Sequence, residues 1–173
     1  MRQLLALTLL LTPGLAGAQA LKNHNSNAPV DVAADRIEVQ DRANRAVFAG
    51  NVHVDQAGMT LDAARLTVAY ASGGNGGNPD IQRLDATGGV TVKKADQIAR
   101  GNSAIYDLNR RIITMLGGVT LNQGGNVIRG GRLVIDLTSG RSVVDGSAAG
   151  GATVAGKGGR VTGRFTVPQR NGQ

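Results

Sequence analysis

From Ala46 onward the chain alternates apolar and polar residues with a period of two. Ala46, Phe48, Gly50, Val52 and Val54 fall on one side of an extended strand, and Val47, Ala49, Asn51, His53 and Asp55 fall on the other. The same register returns in Leu84, Ala86, Gly88, Val90 and Val92, and again in Ile113, Met115, Gly117, Val119 and Leu121. Successive side chains of a strand point to opposite faces, so this pattern predicts strands with one face on an apolar interior and the other toward water. After the first twenty residues no amphipathic stretch of helical period stands out.

Two marks alternate along the chain. One is a glycine opening a β-rich run: Gly50-Asn51-Val52-His53-Val54, Gly88-Gly89-Val90-Thr91-Val92, Gly117-Gly118-Val119-Thr120-Leu121 and, more weakly, Gly146-Ser147-Ala148. The other is a hydrophobic step: Arg36-Ile37-Glu38-Val39, Arg65-Leu66-Thr67-Val68, Ala104-Ile105-Tyr106-Asp107 and Arg132-Leu133-Val134-Ile135-Asp136. The distance from step to glycine is 13 residues from Ile37, 12 from Ile105, 13 from Leu133, but 22 from Leu66. That unit carries an insertion, Ala71 to Asp80, whose glycines predict a disordered loop. Repeats of this kind share one core along a stack. A glycine in mid-strand contributes no side chain and loses more entropy, so its recurrence predicts a bend or close backbone approach where the sheet folds over.

Polar turns separate the strands. Asp41-Arg42-Ala43-Asn44, Asp107-Leu108-Asn109-Arg110 and Asp136-Leu137-Thr138-Ser139-Gly140 follow the hydrophobic steps, where Asp caps the turn through the backbone. Gln56-Ala57-Gly58 and Asn122-Gln123-Gly124-Gly125 link the opposite ends. Many short strands with polar turns indicate an all-β fold: a sandwich, a jelly roll or a β-solenoid.

Residues 1–20 stand apart: Arg2, an apolar run from Leu4 to Leu11, then Pro13 and small residues. This reads as a signal peptide, with cleavage at Ala16-Gly17-Ala18 or Ala18-Gln19-Ala20, because the run is shorter than the ~20 residues of a spanning helix. With no cysteine in the chain, export points to a periplasmic domain held by burial alone. The part after the signal suffices for one domain. Only Phe48, Tyr70, Tyr106 and Phe165 are aromatic, so the lining is aliphatic.

The charge balance, 19 Lys and Arg against 12 Asp and Glu for a net +7, does not identify nucleic acid as a partner. The cations are spread singly and have no aromatic stacking platform beside them. Catalytic chemistry is also thin. His24 and His53 are the two histidines, too few for a metal site without cysteine, and no Gly-x-Ser-x-Gly signature accompanies Ser103 or Ser139. Paired carboxylates drawn from Asp55, Asp62, Asp96, Asp107, Asp136 and Asp145 define the rival reading, a carbohydrate-active β-solenoid enzyme. Asp107 and Asp136, however, occupy equivalent turn positions. A structural surface repeat is a third reading. The glycine clusters Gly73-Gly74-Asn75-Gly76-Gly77 and Gly156-Lys157-Gly158-Gly159 lack the strand-to-helix context of a phosphate loop.

The ordered set Ala34-Asp35-Arg36-Ile37-Glu38-Val39, Ala46 through Gln56, Ala63-Ala64-Arg65-Leu66-Thr67-Val68, Ala104-Ile105-Tyr106-Asp107, Gly117 through Leu121 and Val161 through Pro168 resembles the LptA/OstA-like family of periplasmic lipopolysaccharide transport domains. The insertion before Gly88, the few aromatics and the stretch Gly150 to Gly159 depart from it. The resemblance implies an open β-jellyroll, a folded-over antiparallel sheet, over residues 21–168, with 169–173 a disordered tail. It implies no enzyme activity and no cofactor or metal. The partners it implies are lipopolysaccharide or an equivalent glycolipid, LptC-like inner-membrane and LptD-like outer-membrane components, and a head-to-tail homo-oligomer joined through Val30 to Gln40 and Val161 to Val167. The expected acyl-chain groove is lined by Phe48, Val52, Val54, Met59, Leu61, Leu66, Val68, Val90, Val92, Ile98, Ile105, Ile113, Met115, Val119, Leu121, Ile128, Leu133 and Ile135. Arg36, Arg65, Lys93, Lys94, Arg100, Arg129 and Arg132 are expected near its rim, facing lipid phosphates.

Overall fold

The computed structural model describes residues 24–71, 79–147 and 159–166. The expected signal peptide and the tail 169–173 lie outside the described residues, as do 72–78 of the insertion and 148–158.

Ten strands make one antiparallel sheet: β1 (Asp31–Ala33), β2 (Arg36–Gln40), β3 (Arg45–Gln56), β4 (Met59–Ala71), β5 (Asp80–Lys94), β6 (Gln97–Asp107), β7 (Ile112–Gln123), β8 (Asn126–Asp136), β9 (Ser142–Asp145) and β10 (Thr162–Arg164). From β3 to β8 each strand pairs with the next, as a meander. The first and last rows are broken in two. β1 and β2 both pair with β3, and β9 and β10 both pair with β8. Among the described residues the sheet does not close on itself. Eight rows at the usual inter-strand spacing span about 34 Å.

A crease crosses every row. The ladders slip between Ala49 and Val52, Asp62 and Arg65, Thr87 and Val90, Arg100 and Ser103, and Leu116 and Val119. These bulges lie side by side, so the sheet folds over along one line. Strands β3, β5 and β7 turn there through two consecutive residues at positive φ: Gly50 and Asn51 (79° and 45°), Gly88 and Gly89 (85° and 82°), Gly117 and Gly118 (81° and 58°). The first glycine of each pair is also sterically closed. A Cβ on Gly88 would stand 2.6 Å from that of Ala64, and one on Gly117 would stand 2.7 Å from the Asn102 amide. This is the bend expected of the recurring glycine.

The intervening strands cross the crease differently. In β4 the inward residues are Met59, Leu61 and Ala63 before it and Leu66 and Val68 after it, so the alternation changes parity. In β3, β5 and β7 the two-residue turn preserves it, as in Val52 and Val54 against Phe48. The two halves of the sheet face each other as two arms and enclose a single apolar cluster, in which Leu66, Ile113, Met115, Leu133 and Ile135 are fully buried.

Tight turns hold the free ends of the arms. Ala57-Gly58 and Gly124-Gly125 have positive φ at both residues, as two-residue hairpins require. Two of the three turn aspartates cap as the sequence predicts, whereas the Asp41 turn is closed by its backbone, the Asn44 N–H donating to the Asp41 carbonyl at 3.1 Å. Asp107 Oδ1 accepts the Arg110 N–H at 2.9 Å, and Asp136 Oδ1 accepts those of Thr138 and Ser139 at 2.8 and 3.1 Å. Those backbone bonds hold the Asp136 carboxyl below its usual range.

Candidate functional site

The interior is built from the alternating residues themselves. Of the expected lining, Val52, Val54, Met59, Leu61, Leu66, Val68, Val90, Val92, Ile113, Met115, Val119, Leu121, Leu133 and Ile135 form the buried cluster, and Phe48 and Ile128 pack against it half-buried. Two residues do not belong there. Ile98 pairs with Lys93 and Asn122, and Ile105 with Asp85 and Thr114, on the outer face of β6. The inward residues of β6 are Ala99, Ala104 and Tyr106. Ile98 lies before the crease and is turned outward by the register that buries its neighbour Ala99; past the crease the change of parity brings Ala104 and Tyr106 inward and leaves Ile105 outside. The step Ala104-Ile105-Tyr106 aligns with Leu66-Thr67-Val68 by its flanks and not by its isoleucine, so a small and a polar-tipped residue fill the core positions.

The outer face carries most of the cations expected at the rim. Arg36, Arg65, Lys93, Arg100, Arg129 and Arg132 occupy outward register positions, opposite partners such as Ala49, Thr87, Thr91 and Thr120. Lys94, at the free end of β5, is the one with inward parity. On the same outer face the His53 ring donates from Nδ1 to Asp62 Oδ1 at 2.6 Å, and the Lys93 ammonium lies 3.4 Å from Asp62 Oδ2. The histidine hydrogen bond is the main cause that lowers the Asp62 carboxyl pKa.

Opposite the crease the two arms form a mouth, and a polar cluster fills it. Gln56, 2% exposed, continues the inward parity of Val52 and Val54 to the end of β3. Its Oε1 accepts hydrogen bonds from the Tyr106 hydroxyl (2.9 Å) and from His24 Nε2 (3.0 Å), and its Nε2 donates to the carbonyls of Ser26 (3.1 Å) and Ala28 (2.9 Å). All four positions of the amide are thus used. The segment His24–Val30 therefore runs across the mouth. Its tip is fixed by Arg111, which donates to Asn27 Oδ1 at 3.2 Å. His24 is buried, and burial lowers its pKa. Burial raises that of Tyr106. Gln56, Tyr106 and His24 are absent from the expected lining. For Gln56 the alternation of β3 is the signal that would have found it; Tyr106 is masked by the parity change in β6, and His24 has no signal.

At mid-length the interior is filled: the space bounded by Val54, Leu61, Leu84, Val92 and Ile113 amounts to about 10 Å³. The ends differ. At the β1/β2 end a cleft of about 620 Å³ opens among Val30, Val32, Val39, Ala46, Phe48, Val68, Tyr70 and Ile81. Ile37 and Val39 sit opposite Phe48 and Ala46 on the inward side, yet are 53% and 61% exposed. At the β9/β10 end Val161 and Phe165 are 43% and 64% exposed, in the same parity as Gly163, which faces Ile128. Among the described residues, then, the apolar stripe runs out at both ends uncovered, beside strands whose outer backbone groups have no ladder partner.

A single antiparallel sheet folded over an apolar interior, and left unclosed at its two terminal rows, is an open β-jellyroll. Residues 31–141 match the family described as LptA/(LptD N-terminal domain) LPS transport protein, and the chain belongs to that family of transport proteins. Its fold is similar to that of LptH from Pseudomonas aeruginosa, the LptA-homologous periplasmic component of a lipopolysaccharide transport device, with a TM-score of 0.69 at 20% identity, covering 82% of this chain and 98% of that one. An uncharacterized protein of Rhizobium meliloti (strain 1021) is 34% identical over 96 residues, 54% of this chain and 52% of that protein. The chain thus spans about half the length of the curated relative it matches. No described helix is long and apolar enough to cross a membrane.

Proposed function

We propose that this protein is a non-enzymatic periplasmic carrier of lipopolysaccharide or an equivalent glycolipid, one segment of a bridge between inner and outer membranes. Acyl chains would lie along the inward faces of the two arms. The observation that carries this reading is the exposure of Ile37, Val39, Val161 and Phe165, inward-parity residues at both terminal rows. A sealed core would end its apolar stripe under a covering strand; among the described residues this one delivers it to two sheet edges with no further ladder. Such edges attract another strand, so like domains, LptC-like on one side and LptD-like on the other or a second copy of this chain, would continue the sheet and the stripe together.

The energetics suit a conduit. Sheltering a twelve-carbon chain from water is worth roughly 9 kcal/mol at about 0.8 per methylene, a barrier that a continuous apolar path removes. A bilayer and such a path offer similar surroundings, so movement along it needs an energy source elsewhere. The filled mid-section implies that the arms part when chains enter. Membership in a transport family favours this reading over a carbohydrate-active enzyme, and the turn-capping roles of Asp107 and Asp136 remove two of that reading's candidate acids.

The test is photo-crosslinking in living cells, with a benzophenone amino acid placed at Phe48, facing inward, or at Ile105, facing outward. Lipopolysaccharide adducts are expected from Phe48 only. Equal yields from both positions, or none from Phe48, would refute the interior path.

A further inference from the structure

We propose that the segment His24–Val30 is a displaceable strap across the mouth of the folded sheet, which an entering acyl chain must lift, and that Gln56 is the latch that holds it. This inference rests on the carrier reading and adds the control of its entry.

Three observations support it. The strap makes no ladder with either arm. Its hold on the domain converges on one side chain, because Gln56 takes His24, Ser26 and Ala28 together, with Arg111 on Asn27 as the outlying tie. A segment tied by Gln56, by the outlying Arg111 and by the packing of Val30, with no ladder of its own, opens at lower cost than the hydrogen-bonded strands beside it.

The strap is also a wall. Val30 borders the open end cleft of about 620 Å³, the nearly filled mid-section of about 10 Å³ and a third cleft of about 370 Å³ between the segment and Ile81 and Leu108. Lifting the segment joins these three spaces, which turns an end pocket into a lengthwise trough of the size that accommodates an extended ligand.

The latch, finally, can exchange its partners. The Gln56 amide donates to two backbone carbonyls of the strap. The ester or amide carbonyl through which an acyl chain joins its headgroup is the same kind of acceptor, so a lipid can replace the strap on Gln56 without leaving a buried donor unpaired. The Tyr106 hydroxyl stays on Oε1 throughout. His24, by contrast, holds Nδ1 buried without a partner while the strap is down, and gains water when it lifts.

The chain has no cysteine, which makes the test direct. In the full chain, Asn27→Cys and Arg111→Cys are bridged by a bis-maleimide with an internal disulfide, and uptake of dye-labelled lipopolysaccharide is timed before and after dithiothreitol cleaves the bridge. Uptake is expected to be roughly tenfold slower, or worse, while the bridge is intact, since the competent state is then rarely populated. Equal rates before and after cleavage would overturn the strap and leave the carrier reading standing. No uptake in either state would overturn both.

Discussion

The Tyr106 hydroxyl donates to Gln56 Oε1 over 2.9 Å, a bond between opposite arms of the folded sheet at the side farthest from the crease. β3 contributes one partner and β6 the other, 50 residues apart, so this contact and the crease together fix how far the arms stand open.

Tyr106→Phe should therefore keep the ring in the core and remove one bond of the mouth. The expected loss is about 1 kcal/mol, read by urea denaturation, together with faster amide exchange in residues 26–30. Exchange unchanged from wild type would mean that the mouth does not depend on this hydroxyl.

The crease yields an ordered pair of outcomes. Gly89→Ala meets open space and carries only the positive φ of 82°, a cost of about 1–2 kcal/mol. Gly88→Ala adds a collision with Ala64 and should cost roughly 2–4 kcal/mol. Chemical denaturation of the two variants side by side checks the order, which matters more than either value.

Acidification should weaken the folded state through His24. Burial lowers its pKa from the ordinary 6.5, the Gln56 hydrogen bond offsets part of that, and the Lys94 charge on β5 disfavours the imidazolium further, so the net direction is down. The unfolded chain thus binds the proton first as pH falls, so the contribution of His24 is full above about pH 6.5 and is lost below it, down to the depressed folded value. Urea midpoints measured through that window should fall more steeply for wild type than for His24→Gln, with the other titrating groups cancelling in the difference.

A charge at the open end should separate binding from folding. Val39 is 61% exposed in the end cleft, whereas Val119 is 1% exposed. Val39→Arg should leave stability within about 0.5 kcal/mol and reduce lipopolysaccharide retention in a co-purification assay. Val119→Arg places an unpaired guanidinium in the packed centre and should unfold the domain, visible as loss of the β-type circular dichroism.

Much of this architecture was legible because β3, β5 and β7 keep one parity from end to end; Phe48, Val52 and Val54 or Ile113, Met115 and Val119 read inward straight from the alternation. The even-numbered strands defeat the same rule. Their parity changes at positions such as Ala63-Ala64 and Gly101-Asn102, where no pair of positive-φ residues announces the bend, so the apolar Ile98 and Ile105 pass for core while Ala104 and Tyr106 pass for surface. The strap was illegible for another reason. His24–Val30 has no periodic pattern, and only the buried amide of Gln56, which sequence assigns to a turn, reveals where it lies.

Because the positive-φ turn recurs on every second strand, the smallest piece that can be added to or removed from this sheet without disturbing its fold line is a hairpin. Homologous domains of this design should differ in length by whole two-strand modules, each adding about 10 Å to the sheet, and a single-strand insertion should be the one change of length they never show.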